Sequence, residues 1–309
     1  MSPEVRRAAE ILRAGGLVAF PTETVYGLGA DASSAAAMAR LYRVKGRPAG
    51  HPVIVHFASA EDAFRYAKEI PPDAKLLANK FWPGPLTLIV KRSDEAKDFV
   101  TGGQPSVGIR VPSHPIAREL LKAFGGGIAA PSANRFGRIS PTTAAHVRED
   151  LGGDVDLVLE GGPSEVGIES TIVDLSGGAA VLLRPGRISQ AELGKIVALE
   201  EKTEASPRHS GGLERHYSPR TAARLVPTHA LDREISRLKD RVAVLAFSRP
   251  DERVDYWLRM PRDPEGYAQK LYAALRELDA AGCELILVEA PPDAPEWAAV
   301  RDRLIRACG

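Results

Sequence analysis

Between Leu17 and Gly186, short apolar runs alternate with stretches whose apolar residues recur at helical spacing. The runs LVAFP, PVIVHF, PLTLIVKR, SVGIRVP, GIAAP, DLVLEG, STIVDL and AVLLRPG are each closed by proline, glycine or a charge, as short buried strands are. SSAAAMARLYRVK, SAEDAFRYAKEI, SHPIARELLKAF and TTAAHVREDLG carry the helical period and open on Ser or Thr, whose hydroxyls can cap free backbone N–H groups. Ahead of them, MSPEVRRAAEILRAGG reads as an amphipathic helix ended by glycine. Many strands with interspersed helices predict an α/β domain over residues 1–200, a twisted mixed sheet with helices packed against it.

The pattern breaks near residue 200. EEKTEASPRHSGGLERHYSPR is polar, clusters Pro, Ser and Gly, and is expected to be a linker over 201–222. Beyond it, ARLVP, RVAVLAFS, DYWLRM and CELILVEAP alternate with helical segments, and Tyr267, Leu271, Ala274, Leu275 and Leu278 fall on one face of the longest helix. This βαβ order predicts a small Rossmann-like domain over 223–309. Without a G-x-G-x-x-G loop, dinucleotide binding there has no support.

Composition narrows the function more than the fold. A chain of 309 residues that is 44% hydrophobic can bury the cores of two domains. With 41 basic and 40 acidic side chains the formal charge is +1, so no global field recruits nucleic acid or an anionic membrane, and an anion site must be local. Cys283 and Cys308 have no metal-ligand or disulfide spacing and fit a reducing compartment. The N-terminus has charges where a signal peptide needs an apolar run, and no segment reaches the roughly 18 apolar residues of a membrane helix. The expectation is a soluble protein of the cytoplasm.

Neither a P-loop nor a G-x-S-x-G elbow is present. His51 and His56, five apart across a strand, point to opposite faces and do not suggest a shared metal. FPTETVYGLGADA offers hydroxyls, a carboxylate, Tyr26 and two glycines after a strand, yet is equally a capped turn. Lys45, Arg47 and His51 would suit a polyphosphate, since Arg supplies a rigid fork and Lys a mobile charge; read alone, they are solvated surface cations. Ser132 and Asn134, just beyond a strand, stand where open α/β sheets place ligand contacts, or are turn residues. Arg110, inside an apolar strand, must be paired, either with a ligand carboxylate or with a protein Asp or Glu. Ser170 and Thr171 open a further strand, and Arg184 closes the next.

Taken in order, PTETVYGLG, the Lys-x-Arg of KGRP, the Ser-x-Asn of PSAN, ESTIVD and LRPG resemble the YrdC-like family over residues 3–200, and HYSP at 216–219 resembles the linker of its two-domain members. The resemblance implies a deep, positively lined concave pocket. It also implies an enzyme, a nucleotidyltransferase that converts L-threonine, bicarbonate or carbon dioxide, and ATP into threonylcarbamoyl-adenylate and pyrophosphate. The product would pass to a separate transferase system that modifies tRNA beside the anticodon.

Carried over by motif, Thr24, His56, Arg110 and Ser170 fall on the threonine side, Arg110 pairing with the substrate carboxylate. Arg47, His51, Ser106, Ser132, Ser140 and Arg184 fall on the ATP side. Lys45, Arg47, Ser132 and Asn134 make up the catalytic pair of motifs, the backbone at Ala130 borders both substrates, and Tyr217 belongs to a segment folded over the nucleotide. Mg²⁺ is implied by ATP chemistry and would bind through the phosphates, with no protein ligand named. Two rivals are weaker. An RNA-binding module lacks any RRM, KH or dsRBD signature and a basic balance. A carbamoyl-adenylating module of hydrogenase maturation would need cysteine-rich zinc motifs, which two isolated cysteines do not supply.

Overall fold

The computed structural model describes residues 1–204, 206–238 and 241–309. It divides into two units: Met1–Phe136, Pro141–Glu165 and Glu169–Gly212 form the first, and Gly137–Ser140, Val166–Ile168 and Leu213–Gly309 form the second.

Ten strands among the described residues build the first unit's sheet: β1 (Val18–Phe20), β2 (Gly27–Asp31), β3 (Ile54–His56), β4 (Leu86–Lys91), β5 (Ser106–Arg110), β6 (Ile128–Ala129), β7 (Leu157–Val158), β8 (Thr171–Asp174), β9 (Ala180–Arg184) and β10 (Leu199–Glu200). They lie in the order β10-β9-β8-β4-β5-β3-β6-β2-β1-β7, with parallel and antiparallel neighbours mixed. Apolar clusters cover both faces. Leu17 and Ala19 enter one cluster while Val18 and Phe20 enter the other, as the period-2 alternation of a strand requires. All eight apolar runs become strands because each side chain of a doubly covered sheet can be buried.

The structure departs from the local patterns at three places, two of them through tertiary pairing. Gly27–Asp31, expected as a turn, is a strand between β1 and β6. Helical spacing over SAEDAFRYAKEI produces only Ala60–Phe64, because the chain then bonds to the end of β4, Lys68 N donating to Lys91 O at 2.8 Å. Helix Pro115–Phe124 is capped by the His114 ring, which accepts from Ile116 N, and not by a Ser or Thr hydroxyl. Ser2, Ser34, Ser59 and Thr143 follow the expected cap chemistry, each accepting from the first turn of its helix.

The second unit holds a parallel sheet of β11 (Ala222–Val226), β12 (Val242–Ala246), β13 (Tyr256–Arg259) and β14 (Leu285–Glu289), in the order β11-β14-β12-β13. Helix Pro264–Ala280, capped by Asp263, buries the five residues whose spacing predicts its apolar face. No helix among the described residues is long and apolar enough to cross a membrane.

Candidate active site

Three strand ends and two turns of the first unit converge on buried polar chemistry. Arg110 closes β5, and its register partner on the parallel β3 is His56, so the two side chains stand together on one face. The guanidinium is buried, and its counter-ion is Glu23 of the PTETVY turn, with Nη2 donating to Oε1 at 2.6 Å. Nη1 donates to Thr24 Oγ1 at 3.0 Å and Nε to Gly84 O at 3.2 Å. Arg110 is thus paired with a protein carboxylate, and its five N–H groups exceed these three bonds. Thr24 is fixed in turn by Thr22, Oγ1 to Oγ1 at 2.9 Å. Burial, then the charge of Arg110, pushes the His56 imidazole down to about 3, so the ring is neutral through the physiological range. His56 Nδ1 is buried without a hydrogen-bond partner, an open polar position beside Thr24 and Arg110 on its own face of the sheet.

A second group gathers around the Lys-x-Arg turn. Helix Ala35–Lys45 stops at Gly46, whose φ of 64° is left-handed and suits glycine, and the turn folds both cations inward. Lys45 is buried, and its Nζ donates to Ser132 O and Asn134 O, each at 2.5 Å. The ammonium thereby fastens the PSAN loop and keeps one further donor. Burial, then Arg47, lowers the Lys45 amine well below its ordinary value. Arg47 Nη2 donates to Pro52 O at 2.7 Å, and its guanidinium lies 5.4 Å from the Phe136 ring centroid. His51 packs on the other side of this knot, 5.4 Å from the same ring, and burial followed by Arg47 and Arg208 lowers its pKa. Solvated cations, the reading of these residues taken alone, are not what the fold produces.

The third group joins β8, β9 and β4. Ser170 Oγ meets Thr87 Oγ1 at 2.8 Å and accepts from Arg184 Nη2 at 3.1 Å, while Arg184 Nε donates to Ser170 O at 3.0 Å. Nearby, a small pocket is lined by Ser106, Thr87, Ile54, Ile172 and the segment Arg208–Ser210. That segment is strapped down. Gln104 and Arg208 exchange hydrogen bonds at 2.7 and 3.0 Å, and the Arg208 guanidinium donates to Gly50 O at 2.9 Å and Gly102 O at 3.0 Å. Arg184 Nη1 donates to Ser210 O at 2.8 Å.

Glu23, Thr87, Gln104 and Arg208 are the polar residues that sequence reasoning did not single out. Glu23 sits inside a quoted motif and could have been found as the required partner of Arg110; Arg208 lies in a polar stretch with no pattern to mark it. Ala130 is buried next to β6, its N donating to Ile54 O at 3.0 Å. Two expected ATP contacts, Ser140 and Tyr217, belong to the second unit, where both are buried. Tyr217 has a positive φ of 61°, and its ring centroid lies 5.7 Å from that of Tyr272. No group of three or more His, Cys, Asp or Glu among the described residues is placed to hold a metal.

A family model described as telomere recombination, covering Sua5, YciO and YrdC, matches residues 10–186. The chain belongs to the Sua5/YciO/YrdC family. A second model, the C-terminal domain of threonylcarbamoyl-AMP synthase, matches residues 188–309, so this member carries both parts of the two-domain form. Among relatives, threonylcarbamoyl-AMP synthase of Pyrococcus abyssi is 39% identical over 99% of this chain and 94% of its own length. The Bacillus subtilis enzyme of the same name is 37% identical over 99% and 93%. The crystal structure of P. abyssi Sua5 complexed with L-threonine superposes with a TM-score of 0.92 at 38% identity, covering 98% of this chain and 94% of that one.

Proposed function

We propose that the chain makes threonylcarbamoyl-AMP and pyrophosphate from L-threonine, bicarbonate or carbon dioxide, and ATP. The observation that carries the reading is full-length similarity to enzymes of that name, one of them in a family whose pyrococcal member binds L-threonine. The threonine amine takes up the one-carbon unit as a carbamate. A carbamate oxygen then forms a bond to the α-phosphorus of ATP, and the bond to the β-phosphate oxygen breaks with its electron pair leaving on pyrophosphate. The nucleophile is weak and both reactants are anions, so the protein must hold them together and offset charge on the leaving group.

The chain's own residues divide that work. Thr24, the neutral His56 and the spare N–H groups of Arg110 take threonine, with Ser170 beside Thr87 closing that side. His56 Nδ1 gains in the ligand the partner it lacks in the protein. Lys45 holds the PSAN loop so that Ser132 and Asn134 face the nucleotide, and Arg47, His51, Ser106, Ser140 and Arg184 serve its phosphates and sugar. Mg²⁺ arrives on the triphosphate, which suits an ion that keeps its waters and binds through phosphate oxygens. Segment 208–210 shields the mixed anhydride from hydrolysis until it is handed to the tRNA-modifying enzyme that consumes it.

The deciding assay is pyrophosphate release from ATP and Mg²⁺. It should require both L-threonine and bicarbonate and proceed without RNA, and Arg47→Ala should lower it by about tenfold or more. Release that persists when threonine is omitted would refute the reading.

A further inference from the structure

Where β2 and β3 end and β6, the neighbour of both, begins, the first unit leaves a cavity of about 310 Å³. None of its lining residues takes part in the chemistry proposed above. The geometry points to a binding site for a small organic cation, an alkyl ammonium or guanidinium, held by Asp31, Glu95 and the Tyr66 hydroxyl beside the rings of Phe57 and Phe124.

The walls are fixed by the fold itself. Phe57 meets the Tyr66 ring edge-on, with centroids 4.8 Å apart. A Cβ added to Gly127 would lie 2.9 Å from Phe57 Cε1 and 2.8 Å from Val55 Cγ1, so glycine lets the entry to β6 press against that ring. Helix Pro115–Phe124 stops at Gly125, in the left-handed region, and Arg13 donates to the last carbonyls, Ala123 O and Phe124 O. Arg13 thereby holds the helix end that carries Phe124.

The open polar positions are acceptors. Asp31 turns Oδ1 to both N and Oγ of Ser33, at 2.8 and 2.7 Å, which leaves Oδ2 without a partner among the described residues. Glu95 pairs through Oε1 with Arg65 Nη2 at 3.4 Å, which leaves Oε2. Tyr66 is only 6% exposed, yet its hydroxyl makes no hydrogen bond among the described residues, although a phenol so buried ordinarily finds a partner. Burial, then the Glu95 and Asp31 carboxylates, pushes that phenol up to about 12, so the hydroxyl stays protonated and lies among two acids of the cavity. Both arginines of the lining are engaged, Arg13 by helix carbonyls and Arg65 by Glu95. Asp62 adds a third carboxylate. What the cavity lacks is a positively charged N–H donor, and the aromatic rings suit the cation and its apolar stem. Its volume is at the lower end of the range for small-molecule sites, which favours a free ligand.

Calorimetric titration of the full chain with agmatine, which carries a guanidinium and an ammonium on a butyl stem, tests the assignment. Saturable binding with a Kd of about 1 mM or tighter is expected. Asp31→Asn keeps the acceptor that Ser33 uses and removes the charge, and should weaken agmatine about tenfold. Tyr66→Phe keeps the ring and should weaken it about threefold or more. No saturable heat with wild type, or full-strength binding in either variant, overturns the site. Succinate, a dianion, should give no heat; if it binds in place of agmatine, the arginines are the working groups and the assignment fails. Acetyl-Gly-Arg-Gly-amide presents the same guanidinium on a peptide and should bind no tighter than agmatine. If the peptide alone binds, the cation belongs to a protein partner and the free-ligand assignment falls.

Discussion

In the first unit, β3, β5 and β9 end on buried ionisable side chains, His56, Arg110 and Arg184; in the second, every residue of β12 is apolar and buried, and β14 ends on a single buried acid, Glu289. Glu289 accepts a hydrogen bond from Phe247 N at 2.7 Å, which ties the ends of two neighbouring strands. It serves the fold. The first unit's charges are another matter: burying Arg110, His56 and Arg184 on one sheet, and Lys45 at the end of a helix, incurs repeated desolvation that apolar residues of similar volume would avoid. Strand ends of one sheet carry several buried ionisable groups, and those of the other are mostly apolar.

The sharpest way to break this contrast is to remove the acid that makes Arg110 tolerable. Glu23→Ala leaves a buried guanidinium without its counter-ion and should lower unfolding stability by about 3–5 kcal/mol in denaturant titrations. A loss under about 1 kcal/mol would mean that Arg110 is satisfied some other way, and the first unit's charges would look no costlier than Glu289.

Acidity gives the next largest effect. The His56 pKa is depressed in the folded state, so the unfolded chain binds the extra proton between its ordinary value near 6.5 and about 3. Stability should thus be intact above pH 6.5 and decline as pH falls through that window, by on the order of a few kcal/mol in full. His56→Gln, which does not titrate there, should show a shallower decline in melting temperature over the same range. Parallel curves would show that His56 does not govern the acid response.

The smallest change is expected in the second unit. Glu289→Gln keeps an acceptor for Phe247 N and exchanges a charged hydrogen bond for a neutral one, costing about 1 kcal/mol. Pyrophosphate release per folded molecule should stay at the wild-type level. A large drop in release with unchanged stability would assign chemistry to the second sheet and erase the contrast.

Much of this was legible beforehand. Eight apolar runs in the first unit and four in the second became strands, because burial on a sheet leaves a period that needs no knowledge of the partner strand. Motif order marked Thr24, Lys45, Arg47, Ser132, Asn134 and Ser170, and the cation inside an apolar strand marked Arg110 as a residue that had to be paired. Where the extent of a strand or helix was missed, a long-range bond had overridden the local pattern: β2 was hidden by its glycines, and the helix after Ser59 was cut short by the end of β4.

Which partner each charge would find was not written locally. Glu23 lies 87 residues from Arg110, and Gln104 the same order of distance, 104 residues, from Arg208, so neither pairing leaves any period or spacing in the chain. Assignment of 137–140 and 166–168 to the second unit is of the same kind. The sequence by itself determined which segments bury themselves and which residues carry the family's motifs, because periodicity and motif chemistry are local. Only the tertiary structure decided that Lys45 fastens a loop and that Arg110 has a protein counter-ion, because those depend on which distant atoms folding brings within about 3 Å.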